Sequence, residues 1–376
     1  MPDLVALTRR LIAFDTINPP GNERPCAEYL AGLLTPVGFR VMLHDVGARR
    51  ATLVARLPRH PDKPALCLTG HLDTVPLGKT PWRRDPFAGE IEGDCLYGRG
   101  SSDMKSGLAA LIWAALAFAR DPADTGDLLL VLTADEEVGC AGSRRLVADP
   151  TILASRELEH VGAVLVCEPT ANVPLLGHKG ALWLELETRG IAAHGSMPER
   201  GVNAVVKAAE VVVALGRYRF PCPPHPLLGP PTLSIGTFAG GQRINIVPDH
   251  ALVGVDLRTV PGLVHTELLA SVQAYLGPEV FPRVVTDTPG IMTDPDHPWV
   301  AVVCAALAKA QGVPPQTGVA PYVTDASILT PALGSPPTII LGPGEPDQAH
   351  KVDEYCHVSK METAARVYFD IVRQGC

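Results

Sequence analysis

Five short segments of the chain carry side chains that ligate cations or move protons: Gly70-His71-Leu72-Asp73, the Asp103 segment Gly100-Ser101-Ser102-Asp103-Met104-Lys105, Asp135-Glu136-Glu137, Glu168-Pro169-Thr170 and Gln348-Ala349-His350. Two imidazoles and several carboxylates gathered in one place cannot all stay ionised, because like charges a few ångströms apart force proton uptake. A divalent cation resolves that conflict. Mixed nitrogen and oxygen donors suit zinc, and also cobalt or manganese, while one carboxylate bridges two ions about 3.5–4 Å apart. Five ligands with one shared would make two open sites. In His-x-Asp spacing, the Asp73 carboxylate is placed to accept the second ring N–H of His71 and fix its tautomer. Adjacent side chains point in different directions, so Glu137 reads as a ligand and Glu136 as the general base. It would take a proton from a water whose pKa the cations bring down to about 7.

Taken singly, each of these residues has a plainer reading. His71 could be a strand-end histidine, Glu136-Glu137 the first turn of a helix where acids suit the dipole, and Asp103 the N-cap of the helix beyond it. On the residues alone, His350 is not separable from His357.

What favours chemistry is the elements that must carry these side chains. Four short runs, residues 65–69, 128–133, 163–167 and 338–341, are apolar nearly throughout, as strands covered on both faces are. Residues 108–119, between the first two, form a helix apolar nearly all round. This pattern predicts a helix-flanked, largely parallel sheet, and such sheets gather ligands outside the carboxyl ends of their strands. Each of the four runs is followed by a ligand-bearing segment. At the N-terminus, Leu4, Leu7 and Leu11 have helical spacing and Asn18-Pro19-Pro20-Gly21 stops that helix; a second helix is predicted over residues 23–34.

The texture changes from about residue 177 to 295. There the order reads strand 181–188, helix 203–215, strand 232–238, strand 246–258, helix 266–276 and strand 280–285. This βαββαβ order is ferredoxin-like, an α+β unit able to fold as an insert. The predicted division is therefore a metal-binding catalytic domain over 1–176 and 296–376, with a lid or dimerisation domain over 177–295.

The chain has 376 residues, a net charge of −8 and no basic run to engage phosphates, which excludes nucleic acid as a partner. No apolar stretch approaches the ~20 residues of a membrane span, so neither a membrane partner nor a signal peptide is expected. Nine scattered cysteines, Cys376 among them, contain no CxxC pair and read as reduced thiols of a cytoplasmic protein. Gly98-Arg99-Gly100 is not a dinucleotide fingerprint, because Asp103 stands at the third glycine position, and Gly78-Lys79-Thr80 lacks the first glycine of a P-loop. GxSxG and HExxH do not occur.

The segments Leu68-Thr69-Gly70-His71-Leu72-Asp73-Thr74-Val75-Pro76, Gly98-Arg99-Gly100-Ser101-Ser102-Asp103-Met104-Lys105-Ser106-Gly107, Asp135-Glu136-Glu137-Val138-Gly139 and Cys167-Glu168-Pro169-Thr170 resemble the metallohydrolase family of acetylornithine deacetylase, succinyl-diaminopimelate desuccinylase and glutamate carboxypeptidase. Their order and spacing cover nearly the whole chain. The resemblance implies two zinc ions bridged by Asp103, with His71 and Glu168 on one ion and Glu137 and His350 on the other. It also implies a cis peptide after Asp103.

Gly177-His178-Lys179-Gly180 and the stretch from Leu341 through His350 to Tyr355 are most similar to the acetylornithine deacetylase branch. One departure is Thr324-Asp325-Ala326, where that branch has Thr-Glu-Ala. In the insert, His194 of Ala193-His194-Gly195-Ser196 resembles the family histidine that stabilises the oxyanion, often in the partner subunit's cleft. Its plain alternative is an exposed imidazole on a tight turn. Asn245 and Arg258 match positions expected to hold substrate carboxylates, together with Thr324 and with the backbone N–H groups of Gly342 and Gly344. Asp256, two residues before Arg258, offers a purely structural partner for it.

The reading is a di-zinc amidohydrolase that removes the acyl group from a small-molecule N-acyl amino acid, with Glu136, Asp73 and His194 as catalytic groups. A desuccinylase, or a dipeptidase or carboxypeptidase, is the alternative within the class, and a non-catalytic metal- or peptide-binding protein the alternative outside it. An apolar helix face in the insert (Val205, Val206, Ala209, Val212, Val213) predicts a homodimer.

Overall fold

The computed structural model describes residues 2–375 apart from Pro122 and Asp124, so Cys376 lies outside the described residues. The chain is α/β and divides into two compact units. One comprises the chain up to Gly177, Met292–Val319 and the chain from Thr324 onward; the other comprises His178–Ile291 and Ala320–Val323.

In the larger unit, strand Ala65–His71 is buried along its whole length and lies between two parallel neighbours, Leu128–Thr133 and Val161–Val166. The register sets Leu68 opposite both Leu130 and Leu165. Thr338–Ile340 continues the parallel set beside Val161–Val166. Because these four strands run the same way, the segments that follow them emerge at one edge. Helices pack on the sheet through the apolar residues the sequence marked. Leu4–Ile12 begins at Asp3, whose carboxylate accepts the Ala6 N–H at 2.8 Å. Ser106–Phe118 is buried on nearly every face and contacts both Ala65–His71 and the C-terminal helix Val358–Gln374.

A hairpin absent from the predicted strands, Arg40–Gly47 with Arg50–Leu57, adds two antiparallel strands beyond Leu128–Thr133. Its second strand carries Arg56 amid apolar residues, which breaks the hydrophobic signal. The guanidinium is nevertheless buried, donating through Nε to Asp127 at 2.7 Å.

The smaller unit is an antiparallel sheet in the order Thr232–Gly240, His250–Thr259, Gly180–Arg189, Val280–Thr288. Helices Ala204–Leu215 and His265–Leu276 cover one face, and alternate residues Leu182, Leu184, Leu186, Val253, Val255 and Leu257 meet Ala208, Val211, Leu268 and Val272 in its core. This is the ferredoxin-like arrangement. One predicted strand, 246–258, is corrected: it is two strands. Pro248 has no N–H for a sheet ladder. Ile246–Val247 accordingly pairs with Ala193–His194, and a new strand starts at His250. None of the described helices is long and apolar enough to cross a membrane.

Candidate metal centre

His71 is the last residue of its strand, opposite Thr133 in the register. Asp103 lies in the Ser101–Lys105 turn that leads into helix Ser106–Phe118, and the Asp103–Met104 peptide is cis, as the resemblance implied. Asp103 is not the cap of that helix. Its Oδ1 lies 3.1 Å from His71 Nε2 and its Oδ2 lies 3.2 Å from His350 Nε2. Glu168, just beyond Val161–Val166, brings Oε2 to 3.8 Å from His71 Nε2, and Glu137 Oε2 lies 3.3 Å from His350 Nε2. Among the described residues, two groups of donors therefore form, each with its atoms within 4.8 Å of one another: His71, Asp103 and Glu168, and Asp103, Glu137 and His350. The groups share Asp103. His350 rather than His357 joins them; His357 faces Asp94 and Cys95 instead.

The electrostatics of this cluster call for a cation. Burial pushes Glu136 and Glu168 well above the carboxylate range, and neighbouring acids add to it: Glu168 on Glu136, and Asp103 and Glu137 on Glu168. Burial works to lower His71, but hydrogen bonds with Asp103 and Asp73 outweigh it and hold the imidazole well above its usual range. His350 is raised to about 10, chiefly by Asp103 and Glu137. Without a cation, proton uptake is thus favoured on both imidazoles and on Glu136 and Glu168, while the imidazoles hold Asp103 below the usual carboxylate range. Glu137 also keeps a buried Oε1 with no hydrogen-bond partner. A ligated divalent cation would satisfy that oxygen and let the acids ionise, so nitrogen and oxygen donors in this arrangement fit a metal.

Asp73 meets His71 through both its backbone and its side chain. The nearest acceptor for His71 Nδ1 is the backbone carbonyl of Asp73 at 3.0 Å, whereas the carboxylate Oδ1 is 3.6 Å away. That carboxylate accepts the backbone N–H groups of Glu136 at 3.1 Å and Glu137 at 3.2 Å, and so fixes the loop that carries both acids. Asn18, which sequence reasoning treated only as part of a helix stop, donates its amide to both Asp73 at 2.8 Å and Asp135 at 2.9 Å. Arg50 holds Asp135 in turn and grips Glu23 through two nitrogens. The signal for Asn18 is weak, because its partners lie 55 and 117 residues away.

Asp325 is also fixed internally. It accepts hydrogen bonds from the hydroxyls of Thr133 and Ser143, which bracket the Glu136-Glu137 loop in sequence. The Asp in Thr324-Asp325-Ala326 is thereby committed to the protein. Thr324 is fully buried, and its hydroxyl accepts the Ala326 N–H at 3.2 Å, at the start of helix Ala326–Ala332. Gly342 gives its N–H to Thr170 Oγ1 at 3.1 Å, and a Cβ there would sit 2.3 Å from the Glu168 carbonyl oxygen. At Gly344 a Cβ would lie 2.1 Å from the Ser102 carbonyl oxygen. In the protein alone, the reason for glycine at both positions is close chain packing.

In the smaller unit, His194 and Asn245 are neighbours. His194 pairs with Ile246, and the Gly195 N–H donates to the Asn245 carbonyl at 2.8 Å. The exposed His194 ring accepts the Ser196 N–H at Nδ1, which leaves Nε2 for the ring proton of the neutral form. Arg258 Nε donates to Asp256 Oδ2 at 3.1 Å, while Asp256 Oδ1 accepts from Trp183 Nε1 at 3.0 Å.

A family model described as Peptidase family M20/M25/M40 matches residues 67–374. The chain belongs to this family. As an M20 protein it is a metallohydrolase of amide or peptide bonds. It is 30% identical over 397 aligned positions to the acetylornithine deacetylase of Photorhabdus laumondii, covering 100% of this chain and 98% of the relative. The acetylornithine deacetylase of Proteus mirabilis is similarly 30% identical, covering 100% and 97% of the two chains. The M20 fold is shared with a metallo-carboxypeptidase from Sulfolobus solfataricus at a TM-score of 0.79 and 18% identity, covering 99% of each chain.

Proposed function

We propose that the protein is a two-metal, zinc-dependent amidohydrolase that removes the acyl group from an N-acyl amino acid, in the manner of an acetylornithine deacetylase. One observation carries the reading: the two carboxylate oxygens of Asp103 each face a different imidazole, His71 and His350. Glu168 would complete the ligands of one ion and Glu137 those of the other; cobalt or manganese would serve as substitutes. Cations held there polarise a carbonyl and lower the pKa of water. Glu136 takes the proton from the attacking water and returns it to the leaving amine. Asp73 holds Glu136 and Glu137 in place through their backbone N–H groups. His194 donates from Nε2 to the developing oxyanion, and Asn245 and Arg258 bind the substrate carboxylate. Full-length kinship to acetylornithine deacetylases at 30% identity supports this substrate class.

The test is metal analysis of the purified chain, followed by assay with and without added Zn2+ or Co2+ on N-acetylornithine, N-succinyl-diaminopimelate and simple dipeptides. Turnover of the acetylated substrate, dependent on metal, is expected. Preference for the succinyl substrate or a dipeptide would move the protein to another branch of the family, and metal binding without hydrolysis of any substrate would make it a binding protein.

We further propose a homodimer formed through the outer face of helix Ala204–Leu215, where Val206 and Val213 are each more than half exposed. Analytical ultracentrifugation of the native chain and of V213E distinguishes a dimer that dissociates from a monomer throughout.

A further inference from the structure

Glu354 has no role in the reading above, yet its side chain is fully buried and its carboxylate is among the most heavily engaged in the larger unit. Oε1 accepts the backbone N–H groups of Ser102 at 2.8 Å and Asp103 at 2.9 Å. Oε2 accepts the Gly100 N–H at 3.0 Å and Arg99 Nη1 at 2.6 Å. The Glu354 carbonyl also accepts the Gly98 N–H at 2.9 Å. Arg99 is itself buried, donating through Nη2 to the Pro76 carbonyl and lying over the Trp82 ring. Every backbone donor on this carboxylate belongs to the turn that presents Asp103, and Glu354 is four residues beyond His350.

We propose that Glu354 is the positioning residue that holds the Asp103 carboxylate midway between the two donor groups, and so sets how tightly a pair of metal ions is bound. The inference rests on the two-metal reading. Its physical basis is that a carboxylate accepts on both oxygens at once, whereas an amide of the same size presents a donor on one side. Glu354→Gln keeps the shape but sets an NH2 group against either the Ser102 and Asp103 N–H groups or those of Gly100 and Arg99. The turn must then move, and Asp103 with it. Residues that orient ligands in this way change metal affinity by about 10–100-fold when replaced.

Removing Glu354 alone would strand the buried Arg99 cation, so the comparison is made in a background without it. Full-length wild type, R99M and R99M/E354Q are loaded with Co2+. Affinity is read by chelator competition, ligand geometry by the visible absorption of bound cobalt, and folding by thermal melting. R99M loses the cation that helps keep Glu354 ionised, so it is expected to bind cobalt more weakly than wild type but more tightly than R99M/E354Q, because the three backbone N–H donors still favour the carboxylate. R99M/E354Q is expected to bind about 10–100-fold more weakly with an altered band. Equal affinity and an unchanged band in R99M and R99M/E354Q would overturn the proposal. Wild type that takes up no cobalt would overturn the two-metal reading and this inference with it. Should R99M/E354Q fail to fold, E354D gives the second measure. It keeps the charge opposite Arg99 but is one methylene too short to reach both N–H pairs, so weakened cobalt binding is expected, and wild-type affinity would overturn the proposal.

Discussion

The residues assigned to chemistry in the two units are held in opposite ways. In the larger unit Asp73 is buried and accepts from Asn18, Glu136 and Glu137, while Asp103 stands between two imidazoles on a turn pinned from behind. In the smaller unit His194 is exposed and its ring hydrogen-bonds to Ser196, its neighbour but one. The first arrangement is complete in the protein apart from the cation it would hold. The second leaves His194 Nε2 with no hydrogen bond among the described residues. Metal sites need fixed donors because misplacement costs affinity, whereas groups that meet a substrate are satisfied by the ligand itself.

The sharpest break of this contrast is Glu136→Ala. If the larger unit separates holding metal from moving protons, the variant retains its metal by elemental analysis and loses roughly 10²–10⁴-fold in kcat. Near-normal turnover would remove Glu136 from proton transfer, and loss of metal would show that it helps to hold the ions. His194→Ala is the counterpart in the smaller unit, with about 10²–10³-fold lost in kcat at unchanged melting temperature and metal content. A variant that instead melts early with kcat intact would make His194 a turn residue.

The contrast also explains what was legible in the sequence. Short, uniformly apolar runs marked the strands, and the residues just past them marked the ligands, because a parallel sheet converts sequence position into spatial convergence. His71, Asp103, Glu137, Glu168 and His350 came together on that logic and the resemblance combined. What escaped were residues whose meaning lies in a partner far along the chain. Asn18 meets Asp73 and Asp135; Arg56 is buried on Asp127, which hid a strand; Glu354 reaches back to residues 99–103. No local pattern encodes such pairs. The glycines carry a further constraint of the same kind. At Gly342 and Gly344 a neighbouring carbonyl oxygen leaves no room for a Cβ.

Gly342→Ala tests how tightly the larger unit is determined. The new methyl would meet the Glu168 and Cys167 carbonyl oxygens at 2.3 and 2.4 Å, and backbone on both sides has little freedom to yield. Overpacking of this kind costs about 1–3 kcal/mol, so the melting temperature should fall, and metal affinity with it because Glu168 is displaced. A variant as stable as wild type would mean that this edge of the site has slack, and that its precision comes from the metal.

The smallest effect is expected at Arg258, where the two kinds of holding meet in one side chain. Its Nε pairs with Asp256, which Trp183 steadies, while neither Nη has a protein partner among the described residues. Such an arginine is oriented but unsaturated, and a planar fork with free N–H groups suits a carboxylate. If it binds the substrate carboxylate, Arg258→Lys raises KM by roughly tenfold or more while kcat stays within a small factor, since the interaction is equal in ground and transition states. Lysine keeps the charge but not the fork, so it does not rescue. If Arg258 serves only Asp256, the same change leaves KM alone and appears, if anywhere, in the melting curve. That outcome would extend the rule of the larger unit to the smaller one: an arginine already paired in the free protein reports on packing and says nothing about substrate.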